Sequence, residues 1–360
     1  MAENANLYCL VMAGGRGTRF WPESTSKKPK QYLNLVSDRS LLADTIMRFS
    51  DLVPPERRFI VTVKEQEKLV EKESGELIGR GGIILEPSGR NTAPCILLSI
   101  ATLLQKGASS DDVIAVVPAD HVILNVEAFR DVIGEAFELA VTNDRIVTIG
   151  IPPTFPHTGH GYIQKGESIR DGVYHVARFK EKPDFETATS YLKSGDFFWN
   201  AGMFVGSIGV FLKEFEKHSP EIYRFIGDLK DNVESFEALS EIYEKIPKDS
   251  MDYAVMEKSD RVMVVGARFD WNDLGSWDAL EAVIDKTDGN TIASSSGECI
   301  LNSSGNIVFA PGKFVTLVNV NDLIIVSNDK NLMALPKKDS QKVREVVEFL
   351  KDHELGPELL

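Results

Sequence analysis

The chain has 360 residues, 43% of them hydrophobic and 26% charged, and its formal net charge is -14. That length holds one large domain and one small one, and the acidic balance argues against a nucleic-acid or membrane-surface partner, both of which favour a basic face. No apolar stretch is long enough to cross a bilayer, and the first residues lack the basic start and apolar run of a signal peptide, so a cytoplasmic location is expected. Cys9, Cys95 and Cys299 are odd in number and widely spaced, which suits neither a disulfide framework nor a zinc site; inert core thiols are expected.

In chain order, Leu7 to Met12 is a short apolar run of the kind that forms a buried strand in a parallel sheet, and Ala13, Gly14, Gly15 and Gly17 end it abruptly. Between Arg16 and Lys30 stand five cations (Arg16, Arg19, Lys27, Lys28 and Lys30) against one acid, Glu23, in an otherwise acidic chain. Small residues that admit backbone N–H groups, beside a fixed Arg and Lys, suit a compact polyphosphate. A plain tight turn followed by a solvated basic loop fits the same pattern. A Walker loop is absent, since the Gly312-Lys313 pair is followed by Phe314, and a dinucleotide fingerprint starting at Gly15 meets Phe20 where a third small residue is needed.

Ser40 to Ser50 has helical spacing, Arg58 to Val63 reads as a strand, Glu65 to Leu77 as a charged helix and Gly82 to Leu85 as a strand. This alternation implies a mostly parallel sheet covered by helices on both faces. The loop Glu86 to Pro94 leads into an apolar helix ending near Leu104. Asn91 is either its cap or part of a loop lining a nucleotide crevice. Val113 to Val117 is a central strand, and Asp120 follows its carboxyl end, where open α/β sheets bind ligands. A carboxylate there repels a polyphosphate unless a divalent cation lies between them, so Asp120 points to Mg²⁺; capping of the helix near Val126 is the alternative. His121 fits a neighbour of that loop better than a base.

Glu127 to Val141 is an amphipathic helix and Arg145 to Ile151 a strand, and Pro152 to Ile163 is a binding-type loop rich in Pro and Gly. Tyr174 to Phe179 is a strand closed by Lys180, Glu181 and Lys182, which serve either a sugar phosphate or plain solvation. Asn200, set among apolar neighbours, must hydrogen-bond to protein or to ligand. Val210 to Lys258 is mostly helical with breaks at Pro220 and Pro247, and Arg261 to Gly266 returns to strand. Asp273 follows, a second carboxylate at a distant strand end, with helix capping as its alternative reading. Two such carboxylates, a phosphate loop and no nucleophile with a paired base favour metal-assisted phosphoryl chemistry. Beyond Asp288 come short β-prone runs (Cys299 to Leu301, Ile307 to Phe309, Phe314 to Val320, Leu323 to Val326). The closing helix, Asp339 to His353, has an apolar face of Val343, Val346, Val347 and Leu350 that needs cover.

The strings LVMAGGRGTRFWPES, KKPKQYL, EPSGRNTAP, VVPADH, TGHGYI, FKEKPD, WNAGMF, MDYAVMEKS and DWNDLGSW, in this order and across essentially the whole chain, resemble the sugar-nucleotide pyrophosphorylases. The likeness is strongest to the bacterial mannose-1-phosphate guanylyltransferases. It implies a nucleotide-diphospho-sugar transferase fold: a Rossmann-like, mixed but mostly parallel sheet over residues 1–287, then a small left-handed β-helix module with a terminal helix over 288–360. It also implies a reaction of GTP with mannose 1-phosphate to give GDP-mannose and diphosphate. Arg16 and Lys30 would hold the triphosphate and departing pyrophosphate, and Asp120 and Asp273 would ligate Mg²⁺. Ala13, Gly14, Gly15, Gly17 and Asn91 would contact the nucleotide. Gly161, Glu181 and Asn200 would meet the mannose, with Lys182 on its phosphate. Family members are often homodimers.

Several positions depart from the commoner pattern: Glu23, Thr25, Ala201, and His160 where Tyr is usual. None removes a charge from the proposed set. Longer members carry a cupin-type isomerase domain, for which a chain ending at Leu360 has no room, so isomerase activity is not expected. Two alternatives stay open: a glucose thymidylyl- or uridylyltransferase, and a non-catalytic sugar-nucleotide-binding regulator.

Overall fold

The computed structural model describes residues 5–15 and 17–360. The chain opens with β1 (Leu7–Met12), α1 (Leu41–Arg48), β2 (Arg58–Val63), α2 (Glu67–Ser74), β3 (Ile83–Glu86), α3 (Thr92–Gln105), β4 (Val113–Pro118), α4 (Val126–Thr142) and β5 (Ile146–Ile151). Next come β6 (Tyr162–Arg170), β7 (Val173–Lys180), α5 (Phe185–Ser194) and β8 (Phe197–Ser207), then the helices α6 (Ile208–His218), α7 (Pro220–Tyr223), α8 (Ile226–Asn232) and α9 (Phe236–Tyr243), and β9 (Val262–Gly266). Among the described residues these nine strands form one sheet in the order β3-β2-β1-β4-β8-β5-β9-β7-β6. β3, β2, β1 and β4 run parallel, as do β5 and β9, whereas β8 opposes β4, β5 and β6, and β7 opposes β6 and β9. Every strand except β7 and β8 therefore points the same way, which is the mixed, mostly parallel sheet of the expected fold. The central strands are mostly apolar because helices cover both faces; β4 and β5 are buried along almost their whole length.

β6 and α5 carry weak sequence signals. The outer half of β6 is exposed and polar, so it has no apolar alternation, and α5 buries only Ala188 and Tyr191. What defines α5 is its ends: Asp184 caps it from the Thr187 N–H, and Gly195, with φ 71°, stops it.

The C-terminal part contains β10 (Lys286–Thr287), β11 (Asn290–Ser294), β12 (Gly297–Leu301), β13 (Ile307–Phe309), β14 (Phe314–Val318), β15 (Leu323–Ser327) and β16 (Leu332–Pro336), then α10 (Val343–Lys351) and α11 (Gly356–Leu359). The chain passes back and forth between two parallel ladders, β11-β13-β15 and β12-β14. Gly297 sits opposite Phe314 and Ile307 opposite Ile324, a step of 17 residues per coil, which is a β-helix. Inside it the fully buried Asn290 and Asn306 form a ladder: Asn290 Oδ1 accepts from the Asn306 N–H and Nδ2, and Asn306 Oδ1 accepts from the Leu323 N–H.

The described chain divides into two compact units that do not follow a single cut in the sequence. The first comprises the chain up to Gly14, Ile46–Pro118 and Asn125–Asp270, and holds the large sheet. The second comprises Gly15–Thr45, Ala119–Leu124 and Trp271–Leu360. From Gly15 onward the loop belongs with the β-helix because the aromatic residues that follow it are part of that core. Phe20, Trp21, Trp277, Phe309, Val343, Val347 and Leu350 are buried in one cluster. Trp277 Nε1 donates to the Trp21 carbonyl at 3.0 Å, and the Phe20 and Trp277 rings lie 5.0 Å apart. The apolar face of α10 is thus covered by its own chain, apart from Val346, which is exposed.

Candidate active site

The glycine-rich loop is shaped by one close approach. Gly17 has φ 61°, and a Cβ there would collide with the Cβ of Lys30, so only glycine lets the turn close over that lysine. Lys30 opens a single helical turn (Lys30–Tyr32) after Pro29 and is 4% exposed. Its Nζ donates to Asp120 Oδ2 at 2.9 Å and to the Asp273 carbonyl at 2.6 Å. Gln31, also buried, donates to the Gly15 carbonyl at 2.9 Å and pins the turn.

The two carboxylate loops are joined by a short antiparallel bridge: the Val122 N–H donates to Asn272 O at 2.8 Å and the Asn272 N–H to Val122 O at 3.0 Å. Asp120 and Asp273 consequently line one cavity of about 280 Å³, together with Gly17, Arg19, Lys30 and Arg344. A cavity of about 450 Å³ beside Glu23 and Phe309 gathers no comparable set of charges.

Neither aspartate is used as a helix cap. Asn125 caps α4, and the turn after Asp273 starts beyond Ser276. Burial works against ionisation of the Asp120 carboxyl, but Lys30 and then His121 outweigh it and hold the carboxyl below its usual range. His121 accepts a hydrogen bond at Nδ1 from Trp271 Nε1 at 3.2 Å, with the rings edge to face, and so behaves as a neighbour of the loop.

Arg16 lies outside the described residues. The arginine the structure brings to the cavity is Arg19, whose guanidinium donates to the Gly275 carbonyl at 2.9 Å. Burial, then the Arg344 guanidinium, lowers the pKa of Arg19, with Asp273 and Asp278 acting the other way. No group of three or more His, Cys, Asp or Glu is gathered among the described residues. Two carboxylates with room for phosphate oxygens and water are nevertheless the donor set a Mg²⁺ ion takes in phosphoryl chemistry.

Of the nucleotide candidates, Ala13 and Gly14 after β1 and Asn91 at the start of α3 belong to the first unit, and Gly15 and Gly17 to the second. The Ala13 N–H donates to Val61 O at 2.8 Å, and Ala13 O accepts from Thr62 Oγ1 at 3.0 Å. A Cβ on Gly14 would meet Glu86 Oε2 at 3.6 Å. Glu86, 4% exposed, accepts from the Tyr243 hydroxyl at 2.5 Å. Burial pushes its carboxyl up to about 7, against the hydrogen bonds of Tyr243 and Cys95. Asn91, with φ 68°, caps α3 by accepting from the Thr92 N–H at 2.9 Å. The Cys9 and Cys95 thiols are buried and raised in pKa by that burial, and Cys299 is half-buried.

The sugar candidates also converge in the first unit. The Asn200 N–H donates to Gly161 O at 2.8 Å, and a Cβ on Gly161 would stand 2.5 Å from Glu181 Oε2. Glu181 is 7% exposed and accepts from Lys182 Nζ at 2.6 Å, so the carboxylate is buried while its lysine partner stays exposed. The Asn200 amide has protein partners: Nδ2 donates to Asp252 Oδ1 at 2.9 Å, and Oδ1 accepts from the Gly202 N–H at 3.1 Å and Thr148 Oγ1 at 3.2 Å. Burial, and next the Glu181 charge, push the Asp252 carboxyl up to about 7. His160 stacks on His157 with centroids 3.9 Å apart and faces Trp199.

Sequence reasoning missed four of these groups. Arg19 stands in the cation cluster but has no individual role in that reading, and Glu86 and Asp252 lie inside the motifs, where a lone charge in a loop or at a strand end reads as solvated. Arg344 has no local signal at all, since only the packing of α10 brings it to the cavity.

A mixed sheet with cations and paired carboxylates on its loops is an arrangement suited to metal-assisted phosphoryl transfer, the chemistry of the nucleotidyl transferases. The Nucleotidyl transferase family pattern matches residues 8–289, and the pattern described as MannoseP isomerase/GMP-like beta-helix domain matches 297–350. A mannose-1-phosphate guanylyltransferase of Escherichia coli is 38% identical over 96% of this chain and 74% of that protein, and one of Klebsiella pneumoniae has the same identity and coverages. A Thermus thermophilus crystal structure, described as a mannose-1-phosphate geranyltransferase, superposes with a TM-score of 0.85 at 34% identity, covering 96% of this chain and 99% of that one. The chain belongs to the mannose-1-phosphate guanylyltransferase family of nucleotidyl transferases.

Proposed function

We propose that this chain transfers a guanylyl group from GTP to α-D-mannose 1-phosphate, releasing diphosphate. The observation that carries the reading is the cavity in which Lys30, Arg19, Asp120 and Asp273 meet, in a chain similar over nearly its whole length to proteins named for this activity. A sugar-phosphate oxygen, already ionised at neutral pH, attacks the α-phosphorus in line. The bond from that phosphorus to the bridging oxygen of the β-phosphate breaks, and pyrophosphate leaves with the bonding pair. No general base is needed, so the protein's contribution is positioning and neutralisation of charge.

Arg19, Lys30 and, from the resemblance, Arg16 take the triphosphate oxygens. Asp120 and Asp273 would hold Mg²⁺, which when bound neutralises phosphate charge. The turn from Ala13 to Gly17, with Asn91, receives the nucleotide. Gly161, Glu181, Asn200 and Asp252 serve the hexose hydroxyls, and Lys182 the sugar phosphate; burial disfavours the Lys182 ammonium, but Glu181 outweighs it and keeps the group charged.

Along the sequence we take 1–287 as the transferase portion and 288–360 as the β-helix module with its closing helix. No described helix is long and apolar enough to cross a membrane, and three free thiols fit a reducing compartment, so we place the enzyme in the cytoplasm. A homodimer rests on the resemblance alone, because the face of α10 that needed cover has it.

A panel of nucleoside triphosphates against hexose 1-phosphates, read by pyrophosphate release with Mg²⁺, tests the reading. GTP with mannose 1-phosphate is the pair expected to turn over fastest. Preference for dTTP with glucose 1-phosphate would replace it with the thymidylyl alternative, and no turnover with any pair would leave the non-catalytic one.

A further inference from the structure

Arg344 reaches the phosphate cavity from the closing helix rather than from the glycine-rich loop or the carboxylate loops. Its backbone is fixed on both sides. Val343 and Val347, in the same helix, are buried in the cluster that also holds Phe20 and Trp277. Just before the helix, Gln341 Nε2 donates at 2.8 Å to Ser276 Oγ, in the segment that carries Asp273. Ser276 Oγ in turn donates to Asp278 Oδ1 at 2.5 Å, which orients the hydroxyl. The start of α10 is therefore locked to one of the two carboxylate loops.

The guanidinium itself has no such anchor. Among the described residues it makes no hydrogen bond or ion pair, and it lines the cavity together with the guanidinium of Arg19 and the carboxylates of Asp120 and Asp273. Two like charges turned towards one cavity repel each other unless an anion lies between them. The cavity already contains the ammonium of Lys30, satisfied by Asp120 and the Asp273 carbonyl. Beyond the Lys30–Asp120 pair the cavity holds two guanidinium groups against the one carboxylate of Asp273, a net positive set with planar donors, the arrangement that recognises phosphate oxygens in pairs.

We infer that Arg344 binds the terminal phosphates of the nucleotide and the pyrophosphate that leaves, so that the C-terminal module supplies part of the phosphate site. This deepens the proposed function and rests on it for the identity of the anion. Its effect is expected on pyrophosphate, the anion that the cavity's cations would hold.

The test is calorimetric titration of pyrophosphate with Mg²⁺ into the full chain and into Arg344→Ala and Arg344→Lys, followed by kinetics in the direction that consumes pyrophosphate. Loss of one charge-assisted, partly exposed contact weakens pyrophosphate about tenfold in Arg344→Ala, with partial recovery in Arg344→Lys. KM for pyrophosphate rises in step while KM for the sugar nucleotide stays within about twofold. Melting temperatures of the three proteins should agree, which separates a lost contact from a disturbed helix. Equal pyrophosphate affinity in Arg344→Ala and wild type, or no pyrophosphate binding by wild type, overturns the inference. Pyrophosphate binding that depends on Arg344 in a protein with no turnover in the substrate panel would sink the guanylyltransferase reading and leave this site standing.

Discussion

Replacing Glu86 by Gln should change how stability depends on pH. Glu86 is 4% exposed, and burial raises its carboxyl from the ordinary 4.5 to about 7 in the folded protein. Below the unfolded value both states are protonated and the group contributes no difference. Between the two values the native carboxyl retains a proton that the unfolded one has lost, so stability falls as pH rises through that window and is flat above it. A pKa difference of one between the folded and unfolded chain is worth about 1.4 kcal/mol, which makes the full effect about 3 kcal/mol. Glutamine keeps an oxygen for the Tyr243 hydroxyl and removes the titration. Urea midpoints of both proteins at pH 4.5, 5.5, 6.5 and 7.5 give the difference directly, and shared groups such as Asp252, also raised to about 7, cancel in it. The variant should gain on wild type by about 3 kcal/mol from the lowest to the highest pH. A difference that stays constant within about 1 kcal/mol would refute a protonated, buried Glu86 beside Gly14.

Two further substitutions probe the glycine-rich loop. Gly17→Ala places a side chain at φ 61° and against the Cβ of Lys30, so it should cost about 1–3 kcal/mol in thermal or urea unfolding. Gly15→Ala meets nothing within 4 Å and should stay within about 0.5 kcal/mol of wild type; equal losses at both positions would show that crowding on Lys30 is not what fixes Gly17. Asp273→Asn keeps the main-chain oxygen that Lys30 uses and removes only the carboxylate charge, so stability should hold while turnover falls by about 100-fold or more. Unchanged turnover at saturating Mg²⁺ would remove Asp273 from the metal role.

The sequence was most legible where one physical rule dominated. Central strands such as β1, β2 and β4 are mostly apolar because they are covered on both faces, and they appear at or within a residue of the positions read from the chain. The β-helix showed itself as short β-prone runs between turn residues, although β11 and β16 were not distinguished. Asp120 and Asp273 could be marked because a carboxylate at a strand end facing phosphates needs an explanation, and the structure brings both to one cavity. What was hidden depends on long-range packing. The membership of Phe20 and Trp21 in the β-helix core, the pairing of Asn200 with Asp252, and the arrival of Arg344 all join residues far apart in the chain. The surroundings of Glu181 were equally invisible, since a Glu next to a Lys is ordinarily solvated and here is buried and paired.

The most direct test of the central claim is the reverse reaction with the purified chain. GDP-mannose and pyrophosphate, with Mg²⁺, should yield GTP and mannose 1-phosphate, identified by mass, while UDP-glucose and dTDP-glucose give far less nucleotide. Absence of GTP, or faster pyrophosphorolysis of either glucose nucleotide, would contradict the guanylyltransferase account.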